Sequence, residues 1–326
     1  MKHLVAAIGL SAIGAFSTPS IADVMHEPLW VQNLSPLTAL IAVPSQRTAH
    51  IQQGLSLTLH FDVATHFLTQ TVGAEHVSFD GETDRNSLSL GWGFSQNWAA
   101  TVVLPVIRHS GGVTDSYVNK WHDFFLLSDG GRHLAPNDQL RYQFDAAASH
   151  SVVLDASGSG VGDVVFEIAH ARPSTSAFQI GYALGYKAST GQVRAWRGSG
   201  ASDLYGVVRF SGRSRKDAPL YWHGQFGLVH AGDSELLGPN QKDWVWFAGL
   251  SAEWMVHTDW SLLAQIDSHS AIVQTAIPAL GQPAGILSLG LRHQLTPQWA
   301  IDIGFAEDII VESAPDIIFQ ASIHYR

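Results

Sequence analysis

The stretch GLSLTLHFDVATHF, residues 54–67, decides the fold. Leu55, Leu57, Leu59, Phe61, Val63 and Phe67 fall on one face, and Ser56, Thr58, His60, Asp62 and His66 on the other. Alternation of period two over this length specifies a strand with one apolar and one polar side. The pattern returns in Leu88, Leu90, Trp92 and Phe94, passes the polar turn Ser95-Gln96-Asn97, and resumes in Trp98, Ala100, Val102, Leu104 and Val106. Two such strands around a short turn form a hairpin.

Further hairpins follow. Val164, Phe166 and Ile168 lead through Arg172 to Thr175 into Phe178, Ile180, Tyr182, Leu184 and Tyr186. Leu204, Val208 and Phe210 lead into Leu220, Trp222, Phe226 and Leu228, and Trp244 to Val256 turns at His257-Thr258-Asp259 into Trp260, Leu262, Ala264 and Ile266. Leu287, Leu289 and Leu291 turn at Thr296-Pro297-Gln298 into Trp299, Ile301, Ile303 and Phe305, and a last strand carries Phe319, Ala321, Ile323 and Tyr325. The count is about twelve, and most strands reach the roughly 9 to 11 residues that cross a membrane at a tilt.

Composition agrees. Of 326 residues 46% are hydrophobic and only 14% charged, against about 25% charged in a soluble domain. Membrane helices need about 18 or more unbroken apolar residues, whereas the longest apolar stretch after the N-terminus, Ala99 to Ile107, stops at Arg108. The fold class expected is all-β, an antiparallel transmembrane β-barrel with long external loops and short periplasmic turns. A polar residue followed by Trp recurs at Asn97-Trp98, Asp259-Trp260 and Gln298-Trp299, as in an aromatic girdle at the inner interface. The competing reading of these tryptophans is the core of a soluble sandwich.

Residues 1–22 read as a signal peptide: Lys2, an apolar core from Leu4 to Phe16, and small residues for cleavage near Ala22. The expected location is therefore the outer membrane of a Gram-negative bacterium. Losing Lys2 moves the net charge from −10 to −11, and so acidic a chain is no nucleic-acid partner. With no cysteine there is neither disulfide nor thiolate metal site, and no cofactor or metal is expected. The 17 histidines match no ligand spacing. The partners expected are outer-membrane lipid, the barrel assembly machinery during biogenesis and a small-molecule solute.

Residues 23–52 are expected as a periplasmic N-terminal segment whose stretch Leu37–Val43 either plugs the bore or pairs briefly, with the barrel over 53–326. The long polar connections are expected near 69–85, 109–160, 188–201, 231–243 and 269–285, the segment 109–160 being a folded loop with a short helix around 118–126. If the apolar faces meet lipid, the candidate lumen lining is His60, Asp62, His66, Asp163, Glu167, Arg209, His223, Glu253, Asp267, Arg292 and Asp302. Mixed charge there fits either a wet channel or an internally paired, filled bore. Two glycine runs, Gly158 to Asp163 and Gly198 to Asp203, each enter a strand, which excludes a dinucleotide fingerprint; they turn the chain tightly at the rim.

A candidate loop site comprises Asp80, Glu82, Trp121, His122, Asp123, Gly131 and Arg132. A Ser-His-Asp hydrolase can be drawn there from Ser128, His122 and Asp115, or from Ser151 and His150, but a triad is a matter of geometry. Asp80-Gly81-Glu82-Thr83, Trp121 to Phe125, Asp129 to Arg132 and the glycine run ending at Asp163 resemble an uncharacterised family of proteobacterial proteins, domain of unknown function 3187. The resemblance spans nearly the whole mature chain and implies an outer-membrane barrel, with no catalytic residues to carry over. The chain ends Tyr325-Arg326, so the aromatic assembly signal of such barrels is shifted by one residue. The leading functional expectation is a channel or small-molecule uptake protein. The alternatives are an outer-membrane enzyme acting on lipid or lipopolysaccharide, or a structural or adhesive barrel with a closed lumen.

Overall fold

The computed structural model describes residues 25–113, 136–146, 150–172, 177–214, 219–310 and 313–326. The expected signal peptide and the expected helix at 118–126 lie outside these residues. Fifteen strands are described: β1 (Gly54–Val72), β2 (Glu75–Gly93), β3 (Trp98–Ser110), β4 (Arg141–Ala146), β5 (His150–Leu154), β6 (Gly158–Val161), β7 (Val164–Ala171), β8 (Phe178–Ala188), β9 (Asp203–Arg213), β10 (Leu220–His230), β11 (Trp244–Met255), β12 (Trp260–His269), β13 (Ala284–Gln294), β14 (Trp299–Asp308) and β15 (Ile317–Tyr325). Twelve of them, β1–β3 and β7–β15, form a closed antiparallel barrel in which β1 pairs with β15. Closure leaves no free sheet edge in lipid.

The alternation read from the sequence sets the two surfaces. Outward side chains are apolar all round the wall, with Leu184 68% and Leu250 70% exposed, while polar partners such as Ser211, Ser288 and Arg292 are buried inside. This is the inverse of a soluble sandwich, and the core-tryptophan reading falls with it. Trp98, Trp260 and Trp299 are exposed at the short-turn end, packed respectively on His170, His293 and Tyr325.

The long-loop end differs from expectation. Residues 69–85 are not a loop: β1 and β2 stay paired up to Val72 and Glu75, around the two-residue turn Gly73-Ala74. Cross-strand pairs such as Thr71 with His76, 2.8 Å apart, hold this extension, which rises clear of lipid and needs no apolar outer face. Within 109–160 the chain adds β4, which pairs with β2 over His76–Asp80, then β5 on β4, and β6 on β3. Phe79, Tyr142, Phe144, Trp196, Leu237 and Ile272 there bury one another in an apolar core that caps the bore. Phe79 and Tyr142 meet edge to face at 5.9 Å, a favoured aromatic geometry. Burial pushes the Tyr142 phenol well above its ordinary pKa, so the hydroxyl stays neutral.

The glycine runs do more than turn the chain. Gly158–Val161 is itself strand β6, and β7 begins after a break at Gly162-Asp163, where Gly162 N donates to Pro105 O at 2.9 Å. The break releases the Asp163 carboxylate toward the second run, whose Ser199 N donates to it at 3.1 Å.

Candidate functional site

The bore is occupied by the chain's own N-terminal segment. Residues 25–53, from the segment expected in the periplasm with Leu37–Val43 either plugging the bore or pairing briefly, run inside the wall. At the short-turn end Met25 N donates to Gln294 Oε1 at 3.2 Å. The segment climbs to a single 3-10 turn at Thr38–Leu40, where Leu37, Leu40 and Ile41 join the apolar cap, and descends to β1. The two legs hold each other: Gln32 Nε2 donates to Val43 O at 3.0 Å, and Ser45 Oγ to Val31 O at 2.8 Å.

The segment leans to one side. Its bonds run to Asp203 and Ser211 on β9, Gln225 on β10, Glu253 on β11, Asp267 and His269 on β12, and Arg292 on β13. Gly249 on β11 makes room for this: a Cβ there would lie 2.3 Å from Gln46 Nε2. Toward β1–β3 the contacts are fewer. Trp30 stacks on His60 at 5.4 Å, and Arg47 reaches Ser89 and Thr101, each at 3.3 Å. Two cavities remain on that side, about 150 Å³ near the short-turn end and about 50 Å³ above it, both lined by Trp30 and Arg47.

Three buried ionic groups brace the lumen. Arg292, 1% exposed, donates through Nε and Nη2 to Asp302 at 2.7 and 2.6 Å, and through Nη1 to Glu253 at 3.2 Å and to the Glu27 carbonyl at 2.9 Å. His324 lies 3.0 Å from Asp302, and His26 lies 3.2 Å from Glu253 and stacks on Tyr221. Arg209 on β9 forks onto Glu167 on β7 at 2.8 and 2.7 Å, and Tyr205 OH donates to the same carboxylate at 2.7 Å. These bonds cross over β8 at Gly185, where a Cβ would sit 2.0 Å from the Tyr205 ring. Lys187 lies 2.9 Å from Asp203 and 3.3 Å from Asp163, the residues that end the two glycine runs, and its Nζ also donates to Leu40 O in the segment. In a low-dielectric interior such paired, hydrogen-bonded charges are tolerated where isolated ones are not.

The expected lumen residues all turn inward. His60, Asp62, His66, Asp163, Glu167, Arg209, His223, Glu253, Arg292 and Asp302 are buried, and Asp267 is half-buried between Gln46 at 2.8 Å and Gln265 at 2.7 Å. His60 pairs with Asp62 at 2.8 Å, His66 with Thr83 at 3.2 Å, and His223 with Ser211 at 2.8 Å. Of the expected loop site, Asp80 and Glu82 lie on β2, Glu82 buried, and Trp121, His122, Asp123, Gly131 and Arg132 lie outside the described residues. The triad members Ser128, His122 and Asp115 also lie outside. His150 and Ser151 diverge, the first to Leu236 O at 2.7 Å and the second to Asp145 at 2.5 Å.

Sequence reasoning passed over Arg47, Arg85, Lys187 and Asp203. Three were within reach of the alternation, since Arg85 is in phase with Ser87 and Ser89, Lys187 with Gln179, and Asp203 with Tyr205 and Arg209. Arg47 lies on the non-periodic segment and carried no such signal.

A family model described as a protein of unknown function, DUF3187, matches residues 10–326. The chain belongs to the DUF3187 family. No curated protein matches the sequence. Among solved structures, this DUF3187 chain is similar to the COG4313 outer membrane channel from Pseudomonas putida F1, at 11% identity and a TM-score of 0.56, over 85% of this chain and 97% of that one. It also matches the NanC porin at 10% identity and a TM-score of 0.47, covering 84% and 100% of the two chains. The Ralstonia pickettii toluene transporter TbuX follows at 10% identity and a TM-score of 0.41, covering 93% and 95%. The first likeness is one of fold: DUF3187 is an outer-membrane-type barrel.

Proposed function

We propose that this protein is an outer-membrane channel for small solutes whose bore is closed by its own N-terminal segment in the state described. The observation that carries the reading is the one-sided seating of residues 25–53. Their hydrogen bonds to the wall concentrate on β8–β13 and leave the two cavities mainly along the β1–β3 and β7 side. A barrel that needs only a rigid filled core packs closely and leaves no such cavities beside its plug. Both cavities are lined by Arg47, whose guanidinium sits 5.1 Å over the Trp30 ring and reaches Thr101 on β3. Opening requires noncovalent contacts to break and no strand to leave the barrel.

The test is planar-bilayer conductance. The full chain is expected to stay near background with brief openings. A chain lacking residues 25–50 but keeping the signal peptide is expected to conduct in steady steps. If the shortened protein forms a heat-modifiable barrel and still passes no current, the channel reading fails and a closed structural barrel takes its place.

A further inference from the structure

Among the described residues five basic side chains of the bore differ in their partners, and Arg197, bonded to Gln192, lines the upper cavity beside them. Arg292, Arg209 and Lys187 each have a carboxylate within 3.3 Å. Among the described residues Arg47 and Arg85 have none within 4 Å: Arg47 donates to the hydroxyls of Ser89 and Thr101, and Arg85 makes one long bond from Nε to Ser87 Oγ at 3.5 Å. Arg85 is 7% exposed, and its side chain lines the upper cavity of about 50 Å³. Taking a guanidinium out of water costs several kcal/mol, which Asp62 and Asp163 offset only from beyond ion-pair distance, so the missing contact partner calls for an explanation.

The cross-strand register sharpens the point. Arg85 stands directly opposite Asp62, an inward acid on β1, and a cross-strand ion pair would be the ordinary outcome. Instead Asp62 Oδ1 lies 2.8 Å from His60 Nε2, and Asp62 Oδ2 has no hydrogen-bond partner. The guanidinium makes no ion pair with this carboxylate, and Arg85 lines the cavity, whose wall also carries Asp163. Arg47 lines the same space from the segment side.

We propose that the bore holds a binding site for the oxyanion group of a small solute, a carboxylate or a phosphate, centred on Arg85 with Arg47 as second donor. A guanidinium fork matches either group through paired N–H donors, and hydrogen bonds to charged groups are the stronger kind. A volume of about 50 Å³ exceeds what one water requires and admits a group of that size. Occupation supplies a counter-charge at hydrogen-bond distance, which Asp62 and Asp163 do not. Arg47 belongs to the segment that closes the bore, so an anion at this site also touches the closure. The site rests on the channel reading only for the route by which the anion arrives; binding itself needs no conduction.

The experiment is equilibrium dialysis of the full chain in detergent against radiolabelled inorganic phosphate, and separately against radiolabelled acetate, with heat-modifiable mobility as the check of folding. Wild type and Arg108→Gln, which alters an exposed arginine paired with Asp84, are expected to bind one anion per chain. Arg85→Gln is expected to weaken binding about tenfold or more, the effect of one charged hydrogen-bond donor, with Arg85→Lys between the two. Tighter binding of phosphate identifies a phosphate-bearing solute, and of acetate a carboxylate-bearing one. Selenate soaked into crystals of the wild type provides a readout independent of any variant, its anomalous peak lying within hydrogen-bond reach of Arg85. Folded wild type with no saturable binding of either anion, Arg85→Gln binding like wild type, or a selenate peak elsewhere in the bore overturns the site. Any of these can occur while the shortened barrel conducts, so the site and the channel fail separately.

Discussion

At the scale of the residue, the bore shows how charge survives without water. Asp302 and Glu253 share Arg292, and Glu167 takes three hydrogen bonds from Arg209 and Tyr205. Replacing Arg292 with Met strands two buried carboxylates, and the cost expected is about 3 to 5 kcal/mol. It would be measured as a lower midpoint for the folded-to-unfolded gel shift in urea; an unchanged midpoint would mean that water already solvates these acids. Which residues face inward was legible, because period two sorts every strand. Which pairs form was not. Glu167 lies on β7 and Arg209 and Tyr205 on β9, and the Tyr205 ring reaches Glu167 over a strand that carries glycine at position 185.

At the scale of the element, the segment 25–53 has no periodicity, so sequence could name it but not seat it. Its conformation is dictated by the wall: Gln46 fits over Gly249 beside Asp267, and Ala42 N donates to Asp203 at 2.9 Å. Substituting Gly249 with Val fills the space beneath Gln46 while leaving every ion pair in place. We expect this variant to keep its barrel, to lose protease protection of residues 25–50, and to raise bilayer current above that of the full chain. Protection equal to wild type would show that the Gln46 contact does not hold the segment. The extension of β1 and β2 to Gly73 was missed for a related reason. Above the membrane an outer face is free to be polar, and the apolar signal that marks a strand disappears while its hydrogen bonds continue.

At the scale of the whole molecule, the lipid-facing surface carries the fold, and its energetics depend on depth. Leu250, midway along β11 and 70% exposed, lies opposite Gly224 and Ile266 on its neighbours. Leu250→Arg is expected to cost about 2 to 4 kcal/mol in a bilayer, while Leu55→Arg, one residue into β1 at the short-turn rim, costs about 0 to 1 kcal/mol. Equal costs at the two sites, measured by urea unfolding in liposomes, would contradict a membrane-spanning orientation of the wall. This surface was the most legible part of the protein, since lipid imposes the same alternation on every strand.

Both legs of the inner segment meet the short-turn mouth. Met25 is held beside Gln294, and Gln52 accepts a hydrogen bond from Arg326 at 3.0 Å. A chain that enters and leaves a ring by the same opening is not threaded through it, and the wall closes on β1 and β15 without forming a knot. The apolar turn at Thr38–Leu40 is then the leading tip of a tethered cork. On the channel reading its withdrawal and reinsertion would meet no covalent obstacle among the described residues.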